Sequence, residues 1–514
     1  MAKDKNKYGQ YFTIDEIADF MTSLISKPKT SRVLEPSCGR GVFLKYLLSY
    51  GFNNLSAYEI DTDLAREYDF VKYESFISAP LDELYDVIIG NPPYIRWKNL
   101  EDELKEELQT NDLWNKYFDS LCDYLFIFIL KSIEQLNEGG ELIFICTEYW
   151  MNTTHSVTLR NYMCEHGYIS EIYHFKEAPL FEKVQASFVI FKYVKSSEVK
   201  KKDIDFYFYN KKGKPIKEEL FLLSCFNVTK IPQFSPDERW ILGTKETQEE
   251  LRSFEKACRT EGGTLNRLGN FCDIGNGMVS GLDAAFKLSS GEEQLLNYKE
   301  KACIIDVLKA KDLEQYRCVD KSRYIYMPSG IRSDDFAISY PTFYNHFLPY
   351  QEKLSQRYNY GKDTPYWEFI FPRSKSLFER KEPKIFIPCK ERISHKKYFR
   401  FCWAPIGYYP LQDVTGIVKK STCQESLEYI LAYLNNKRVF DWLNFNGIVK
   451  GAIVEFSEAP LASIPYLVID WSNVEQVKIH NKITQEVQGY LEDGNIEHIK
   501  KINKQFNLLF NGKD

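Results

Sequence analysis

The sequence predicts an α/β fold, in which a doubly wound and mostly parallel sheet is followed by an irregular, strand-rich α+β region. Two observations lead to this prediction. From Arg32 to about Tyr193, short runs rich in Ile, Val, Phe and Tyr alternate with longer helical segments, the pattern of a parallel sheet with helical crossovers. After Gly263 the chain changes to short aromatic-rich runs broken by Gly and Pro, which is typical of short strands joined by turns.

Six short apolar runs are predicted to be buried strands, because each is rich in β-branched and aromatic residues. In chain order they are RVLEPS, NLSAYEI, YDVIIGN, GGELIFICTE, YISEIYHF and ASFVIFKY. The helical segments between them are Val42 to Ser49, Leu121 to Leu136 and Ser156 to His166. Alternation of this kind favours right-handed crossovers that place helices on both faces of the sheet.

Changes in composition predict four parts of the chain. Residues 1–195 are predicted to form the α/β domain, and the polar run KSSEVKKKD opens a region of linker and connecting elements at 196–262. Residues 263–470 form the aromatic-rich second domain, and residues 471–514 form a polar helical tail. The linker region closes with a helix over Thr244 to Cys258 and a turn at Glu261 to Gly263.

Composition excludes several classes of protein. The net charge of −5 over 514 residues argues against a chain that binds polyanions along its whole length. The N-terminus, MAKDKNKYGQYF, has no apolar export segment. The most apolar run, Tyr124 to Leu130, falls short of the roughly 20 residues that a bilayer requires. We therefore expect a cytoplasmic protein with no membrane partner. No C-x-x-C pair occurs among the twelve cysteines, so no metal site is expected.

One segment departs from the acidic average. From Arg373 to Arg400 there are ten basic residues against three acids, a local net charge of +7, interleaved with aromatic residues. The segment is either a surface that neutralises phosphates or a solvated strand face. Both interpretations remain open on this observation alone.

A Gly-bearing turn follows the first strand, in Leu34-Glu35-Pro36-Ser37-Cys38-Gly39-Arg40-Gly41. Glycines there permit close approach of the backbone to a ligand at the carboxyl ends of the strands. The second strand ends at Glu59 and Ile60, and a carboxylate at this spacing can accept hydrogen bonds from both ribose hydroxyls. Leu44 occupies the place of the third glycine of dinucleotide enzymes. The pattern favours a nucleoside ligand without a pyrophosphate.

The most informative run is Asn91-Pro92-Pro93-Tyr94, which follows the strand YDVIIG. The prolines have no amide donors and leave carbonyl acceptors. The Asn91 side-chain oxygen and the Pro92 carbonyl can together accept both hydrogens of a planar amino group, while Tyr94 stacks on the ring that carries it. Two acceptors localise the nitrogen lone pair for attack, so the catalytic gain lies in positioning and electrostatic preorganisation.

These motifs resemble, in order, those of the S-adenosylmethionine-dependent DNA adenine-N6 methyltransferases of the gamma type, the TaqI-like modification methylases of type II restriction-modification systems. The resemblance rests on GQYFT, LEPSCGRG, Glu59, NPPY and LFEKVQASFVIF and covers about residues 8 to 193. It implies a sheet of the Rossmann-like methyltransferase type. Beyond Gly263 the resemblance is looser and implies a target-recognition domain.

The resemblance also implies roles for individual residues. The cofactor S-adenosyl-L-methionine would be bound at its methionine and sulfonium end by Tyr11, Phe12, Thr13, Glu35, Ser37, Gly39 and Gly41. Its ribose and adenine would be bound by Glu59, Ile60, Ser75 and Phe76. Ser75 stands where the family has an aspartate for the adenine amino group, so either Glu74 or the serine hydroxyl must serve instead.

The catalytic residues implied by the resemblance are Asn91, Pro92, Tyr94 and Phe181. A methyl donor cannot reach an adenine inside a stacked duplex, so such enzymes flip the base out, and Phe181 would face the flipped base opposite Tyr94. A core phenylalanine that precedes a strand is the other interpretation of Phe181. Phosphate contacts are predicted for Arg373, Lys390, Arg392, Lys396, Lys397 and Arg400.

The expected partner is double-stranded DNA, bound by a monomer, with a separately encoded restriction endonuclease in the same system. Only eight residues precede Gly9, so no fused N-terminal nuclease is expected. Two alternatives remain: a methyltransferase acting on another planar amino group, on an RNA base or a protein glutamine, and a non-catalytic DNA-recognition subunit. The downstream aromatic, basic region argues against the first, and the intact Glu35, Glu59, Asn91 and Tyr94 argue against the second.

Overall fold

The computed structural model describes residues 8–64, 67–176, 178–181, 186–198, 202–211, 213–358, 361, 363–393, 397–450 and 453–511. The chain divides into two compact units, Met1–Gln248 and Glu249–Asp514, called here the N-terminal unit and the C-terminal unit. No helix within the described ranges is long and apolar enough to cross a membrane.

The described part of the N-terminal unit contains one nine-stranded sheet of order β3-β2-β1-β4-β5-β7-β6-β8-β9. Its strands are β1 (Val33–Glu35), β2 (Leu55–Tyr58), β3 (Val71–Lys72), β4 (Tyr85–Gly90), β5 (Leu136–Thr147), β6 (Gly167–Lys176), β7 (Phe188–Lys195), β8 (Ile204–Tyr209) and β9 (Phe226–Ile231). The first five strands pair in parallel, whereas β7 runs antiparallel between β5 and β6. The prediction of a mostly parallel α/β sheet is confirmed.

Helices cover both faces of this sheet. They are α1 (Asp15–Ser23), α2 (Val42–Ser49), α3 (Asp102–Gln109), α4 (Asp112–Tyr117), α5 (Tyr124–Glu134), α6 (Val157–His166) and α7 (Lys217–Phe221). The next helix, α8 (Lys245–Ala257), contains the division between the units, and its Phe254 packs on Tyr433 and Phe510. Successive side chains of a strand point to opposite faces: Ile88 packs in the core beneath α5, and Val87 and Ile89 pack in the core beneath α1 and α2. The arrangement is doubly wound, as the sequence predicts.

Residues 196–262 differ from the predicted linker, because two of their segments extend the sheet. Strand β8 pairs in parallel with β6, and β9 pairs antiparallel with β8. The hydrophobic pattern does not reveal β9, FNVTKI, because only its end residues, Phe226 and Ile231, are buried at this edge of the sheet. The predicted boundary at residue 195 therefore lies inside the N-terminal unit.

The C-terminal unit contains short strands arranged in small sheets, which agrees with the predicted irregular, strand-rich region. The strands are β10 (Cys272–Asn276), β11 (Ile304–Leu308), β12 (Ser322–Ile325), β13 (Lys384–Pro388), β14 (Lys390–Arg392), β15 (Cys402–Ala404), β16 (Tyr408–Pro410), β17 (Val414–Lys419), β18 (Ile448–Lys450) and β19 (Ile453–Glu455). Over the described residues they form sheets of order β10-β17-β13-β15, β12-β11-β16 and β14-β19-β18.

Most helices of the C-terminal unit are short. They are α9 (Leu268–Phe271), α10 (Asp283–Phe286), α11 (Ser290–Glu293), α12 (Tyr298–Lys301), α13 (Ser333–Ser339), α14 (Pro341–Phe347), α15 (Gln351–Ser355), α16 (Lys375–Phe378), α17 (Leu427–Leu434), α18 (Lys437–Asn446), α19 (Glu458–Ala462), α20 (Val474–Asp493) and α21 (Ile496–Asn511). The last two form the predicted helical tail. They pack on α17, where the Tyr429 ring lies 5.5 Å from that of Phe506, so the tail is part of the core of this unit.

Candidate active site

A cavity of about 390 Å³ lies beyond the carboxyl ends of β1, β2 and β4, which is where open α/β sheets bind ligands. The structure brings all the residues predicted to bind the cofactor to its walls: Tyr11, Phe12, Thr13, Glu35, Ser37, Gly39, Gly41, Glu59, Ile60, Ser75 and Phe76. Of the predicted catalytic residues, Asn91 lines the cavity, whereas Pro92, Tyr94 and Phe181 lie outside its lining.

The glycine turn after β1 requires glycine at two positions. Gly39 and Gly41 have φ values of 54° and 76°, in the left-handed region that disfavours other residues. A Cβ atom on Gly41 would lie 2.7 Å from the Cε2 atom of Tyr68. The Gly39 amide donates a hydrogen bond of 2.7 Å to Glu59 Oε2. The turn therefore holds the β2 carboxylate beside the cavity.

Glu59 is held from both sides. Its Oε1 accepts a hydrogen bond of 2.7 Å from the Asp61 amide, and its Oε2 accepts the bond from Gly39. Burial raises the pKa of Glu59, while the backbone donors oppose this rise. Each carboxylate oxygen has capacity for a second hydrogen bond, so this group can still accept from the two hydroxyls of a ribose.

Glu35 is fully buried at the end of β1, and its Oε2 atom has no hydrogen-bond partner among the described residues. Burial, together with the nearby Glu59 carboxylate, raises the pKa of Glu35 well above its usual range. A buried acceptor without a partner is destabilising. A cationic ligand at this end of the cavity would satisfy it, as the sulfonium and ammonium groups of S-adenosylmethionine would.

Residues 8–13, called here the N-terminal strap, lie across the cavity. Gln10 Nε2 donates to Asp61 Oδ2 at 3.0 Å. On the opposite side, Asn91 Nδ2 donates to the Tyr11 carbonyl at 2.7 Å and to Thr13 Oγ1 at 3.0 Å. Both amide hydrogens of Asn91 are thus engaged, which fixes the direction in which its side-chain oxygen points.

The Asn91–Tyr94 segment follows Gly90, the last residue of β4. The Tyr94 hydroxyl donates to Asn91 Oδ1 and lies 3.4 Å from the Ile145 carbonyl. Burial raises the pKa of Tyr94 well above its usual range, so the phenol stays protonated and remains a donor. Ser37 Oγ donates to the Asn91 carbonyl at 3.4 Å, which joins this segment to the glycine turn.

An aromatic cluster borders the Asn91–Tyr94 segment. The Tyr11 ring stacks on Tyr94 with a centroid separation of 6.0 Å and an interplanar angle of 17°. Phe181 presents an edge to Tyr11 at 6.4 Å, and Phe188 packs on Phe181 at 4.7 Å. The structure brings Tyr94 and Phe181 into one cluster. The sequence did not indicate that Tyr11 also belongs to it.

At its other end the cavity is an apolar slot. Its walls include Ile60, Phe76, Leu104 and Phe128, and its side-chain hydroxyls are those of Ser75 and Tyr124. Glu74 is exposed and is not among the lining residues. Of the two predicted replacements for the family's aspartate, Ser75 is therefore the one that lines the cavity. The sequence did not single out Leu104, Tyr124 or Phe128, because helical apolar residues are more often core residues. The spacing of Tyr124 and Phe128, four residues apart on α5, is the signal that could have paired them.

The predicted phosphate-binding residues are not equivalent in the structure. Arg373, Lys390, Arg392 and Lys397 are exposed, and Lys396 lies outside the described residues. Arg400 differs from these four: its guanidinium donates to the buried Glu391 carboxylate from Nε and to the Ala310 and Leu313 carbonyls from Nη1. These bonds use three of the five guanidinium N–H donors, so Arg400 serves mainly this internal network, and its phosphate contact stays a prediction.

The local charge of +7 also overstates the basic surface. Lys384 is fully buried, and its Nζ donates to the carbonyls of Arg380 and Glu382. Arg380 forms an ion pair with Asp273 at 2.8 Å. Strand β14 presents Lys390 and Arg392 outward and Glu391 inward, as expected from the alternation of side chains along a strand.

Comparison with known proteins gives three findings. Residues 42–181 match the Eco57I restriction-modification methylase family. The chain is 42% identical over 517 residues to the Type II methyltransferase M.HindII of Haemophilus influenzae, and 41% identical over 507 residues to the Type II methyltransferase M.HincII of the same species, each alignment covering 98% of both chains. A solved structure of the Type IIL restriction-modification enzyme MmeI in complex with DNA is similar with a TM-score of 0.62 and 11% identity, over 97% of this chain and 72% of that chain; this likeness concerns the fold.

Proposed function

The chain belongs to the Type II methyltransferases of restriction-modification systems, and on that premise we propose that it transfers a methyl group from S-adenosyl-L-methionine to the N6 amino group of adenine within one short sequence of duplex DNA. The observation that carries the proposal is the fixed orientation of Asn91. Both of its amide hydrogens are bound by the N-terminal strap, so its side-chain oxygen is turned toward Tyr94 as a ready acceptor.

The cavity supports S-adenosylmethionine as the cofactor. The unpartnered Glu35 oxygen complements a cationic methionine end, the Glu59 carboxylate complements a ribose, and the apolar slot complements an adenine ring. When bound, this cofactor supplies an electrophilic methyl group. No pyrophosphate is required, in agreement with the absence of a third glycine from the turn after β1.

The chain's own residues would position and activate the amino group. Asn91 Oδ1 and the Pro92 carbonyl accept its two hydrogens, and this localises the nitrogen lone pair. Held in this way, the nitrogen would present its lone pair to the electrophilic methyl group of a cofactor bound by Glu35 and Glu59, and one of its two protons would pass to water after the transfer. Acceptors that are already oriented need no reorganisation during reaction, which is the main electrostatic advantage of such a site.

The aromatic cluster supports extrusion of the target base from the duplex. Unstacking a base requires a few kcal/mol, and new stacking on Tyr94 and Phe181 would offset part of this free energy. In this structure the Tyr11 ring stacks on Tyr94, so the Tyr11 ring would have to move when a base stacks on Tyr94. Lys390, Arg392, Lys397 and Arg373, in the C-terminal unit, would neutralise phosphates, and these contacts position the duplex without determining the sequence that is read.

The test is transfer of labelled methyl groups from S-adenosylmethionine to unmodified duplex DNA, followed by digestion and identification of the modified nucleoside. We expect N6-methyladenine confined to one short sequence. Label found in N4-methylcytosine would overturn the choice of base, and label found only in RNA or protein would overturn the substrate. DNA already methylated in the native host serves as the negative control, and resistance of the modified DNA to a co-encoded endonuclease would identify that partner.

A further inference from the structure

The apolar slot contains two neighbouring hydroxyl groups, and one of them is hydrogen-bonded to a carboxylate. Tyr124, on α5, is 3% exposed and donates from Oη to Glu107 Oε2 at 3.4 Å. Ser75 lines the slot together with Tyr124. Glu107, on α3, also accepts a hydrogen bond from Ser78 Oγ. The carboxylate therefore anchors Tyr124 from outside the slot, and the two hydroxyl oxygens line the slot itself.

The aromatic walls fix where these oxygens lie. The Phe76 ring is 5.5 Å from Phe128, and Tyr124 meets Phe128 in a T-shaped contact at 5.2 Å. Ile60 follows the ribose-facing Glu59 and packs against the same core. A planar heterocycle attached to the ribose would thus enter between apolar side chains and meet the hydroxyl oxygens of Ser75 and Tyr124 at its edge.

We infer that Ser75 Oγ and Tyr124 Oη together accept the two hydrogens of the cofactor's adenine amino group, and that Glu107 holds Tyr124 for this task. The inference rests on the proposed use of S-adenosylmethionine. Each hydroxyl has two acceptor lone pairs. Ser75 Oγ uses one to accept from the Ile77 amide at 3.2 Å, and the Tyr124 hydroxyl directs its hydrogen to Glu107. Each oxygen therefore keeps at least one lone pair, which matches the two hydrogens of the amino group.

The experiment measures binding by titration calorimetry of two probes, S-adenosyl-L-homocysteine and its 6-deamino purine analogue, which lacks only the amino group. Wild-type protein should bind the amino form more tightly. Loss of one neutral hydrogen bond corresponds to about fivefold in affinity. Tyr124→Phe should therefore raise the Kd of S-adenosyl-L-homocysteine about fivefold and leave that of the analogue unchanged within about twofold.

Ser75→Ala is the second variant and should act in the same way with a smaller change in packing. Tyr162→Phe is the matched control, because Tyr162 lies in the same core and donates to Glu134 at 2.5 Å away from the cavity lining. Tyr162→Phe should change neither the Kd of S-adenosyl-L-homocysteine nor that of the analogue. If Tyr124→Phe and Ser75→Ala weaken both probes equally, or neither probe, the inference is overturned. Failure of the wild-type protein to bind either probe would instead overturn the proposed cofactor.

Discussion

Asn91 is the residue on which the proposed chemistry depends, because its side-chain oxygen is the acceptor for the target amine. Asn91→Ala removes that acceptor and the two hydrogen bonds to the N-terminal strap, and leaves Glu35, Glu59 and the glycine turn unchanged. We expect methyl transfer to fall at least about a hundredfold, the usual effect of removing one preorganised group, while the Kd of S-adenosylmethionine rises far less than that. Single-turnover rates and calorimetry measure the two quantities. The control is Asn115→Ala, since Asn115 is exposed on α4 and donates to Gln109; near wild-type turnover by Asn91→Ala would refute the assigned role.

Thr13 has a role in the structure that its sequence motif does not reveal, because its Oγ1 accepts from Asn91 Nδ2 at 3.0 Å. Thr13→Val keeps the shape of the side chain and removes this acceptor. A lost hydrogen bond of about 1 kcal/mol predicts that kcat falls roughly fivefold, with the KM of the cofactor nearly unchanged. Thr13→Ser keeps the hydroxyl acceptor and should therefore keep the wild-type kcat. A rise in KM at constant kcat would mean that Thr13 contacts only the cofactor.

At the scale of elements, two glycines that flank α2 can be compared directly: Gly41 in the turn before the helix and Gly51 just after it. Gly41 and Gly51 have φ values of 76° and 88°, and a Cβ atom would meet Tyr68 at Gly41 but no atom within 4 Å at Gly51. Alanine at either position is expected to lower the free energy of unfolding by about 1 kcal/mol. Only Gly41→Ala should also raise the Kd of the cofactor. Equal Kd values for the two variants would contradict a close approach of ligand at this turn.

One face of helix α5 contributes Tyr124 and Phe128 to the lining of the cavity. Tyr124, Phe128 and Lys131 recur at the spacing of a helical stripe. Lys131 is 2% exposed and its Nζ donates to the carbonyls of Ile77 and Ala79, which ties α5 to the segment that follows Phe76. The sequence identifies this helix by its apolar run, but the same apolar run conceals which face is functional.

Burial lowers the pKa of Lys131 to about 8, and this predicts a dependence of stability on pH. An unfolded lysine has a pKa of about 10.4, so between about pH 8 and pH 10 the unfolded state binds more protons than the folded state, and stability due to this residue rises with pH. Lys131→Met should lose that rise. Chemical denaturation at pH 7.5, 8.5 and 9.5 measures it; identical pH profiles for the wild-type protein and the variant would contradict the prediction.

At the scale of the whole molecule, the net charge of −5 conceals exposed lysines in the C-terminal unit. Lys390→Gln with Lys397→Gln should reduce the slope of log K for DNA against log salt by about two, because each neutralised phosphate contributes about 0.9. The control is Lys482→Gln with Lys504→Gln, two exposed lysines on α20 and α21, which makes the same change in net charge. Equal slopes in the two double variants would show that Lys390 and Lys397 do not lie at the DNA.

The sequence by itself determined the order of the motifs and the strands β1, β2 and β4 to β7, because these follow from local hydrophobic periodicity and from turn chemistry. The family resemblance added the eleven predicted cofactor residues, all of which line the cavity, but not Leu104, Tyr124 or Phe128. The sequence did not determine the pairing of β8 and β9 with the sheet, the internal ion pair of Arg400 with Glu391, or the convergence of Ser75, Tyr124 and Glu107. Only the tertiary structure decided these. Each depends on contacts between segments far apart in the chain, and such contacts are set by packing rather than by the identity of neighbouring residues.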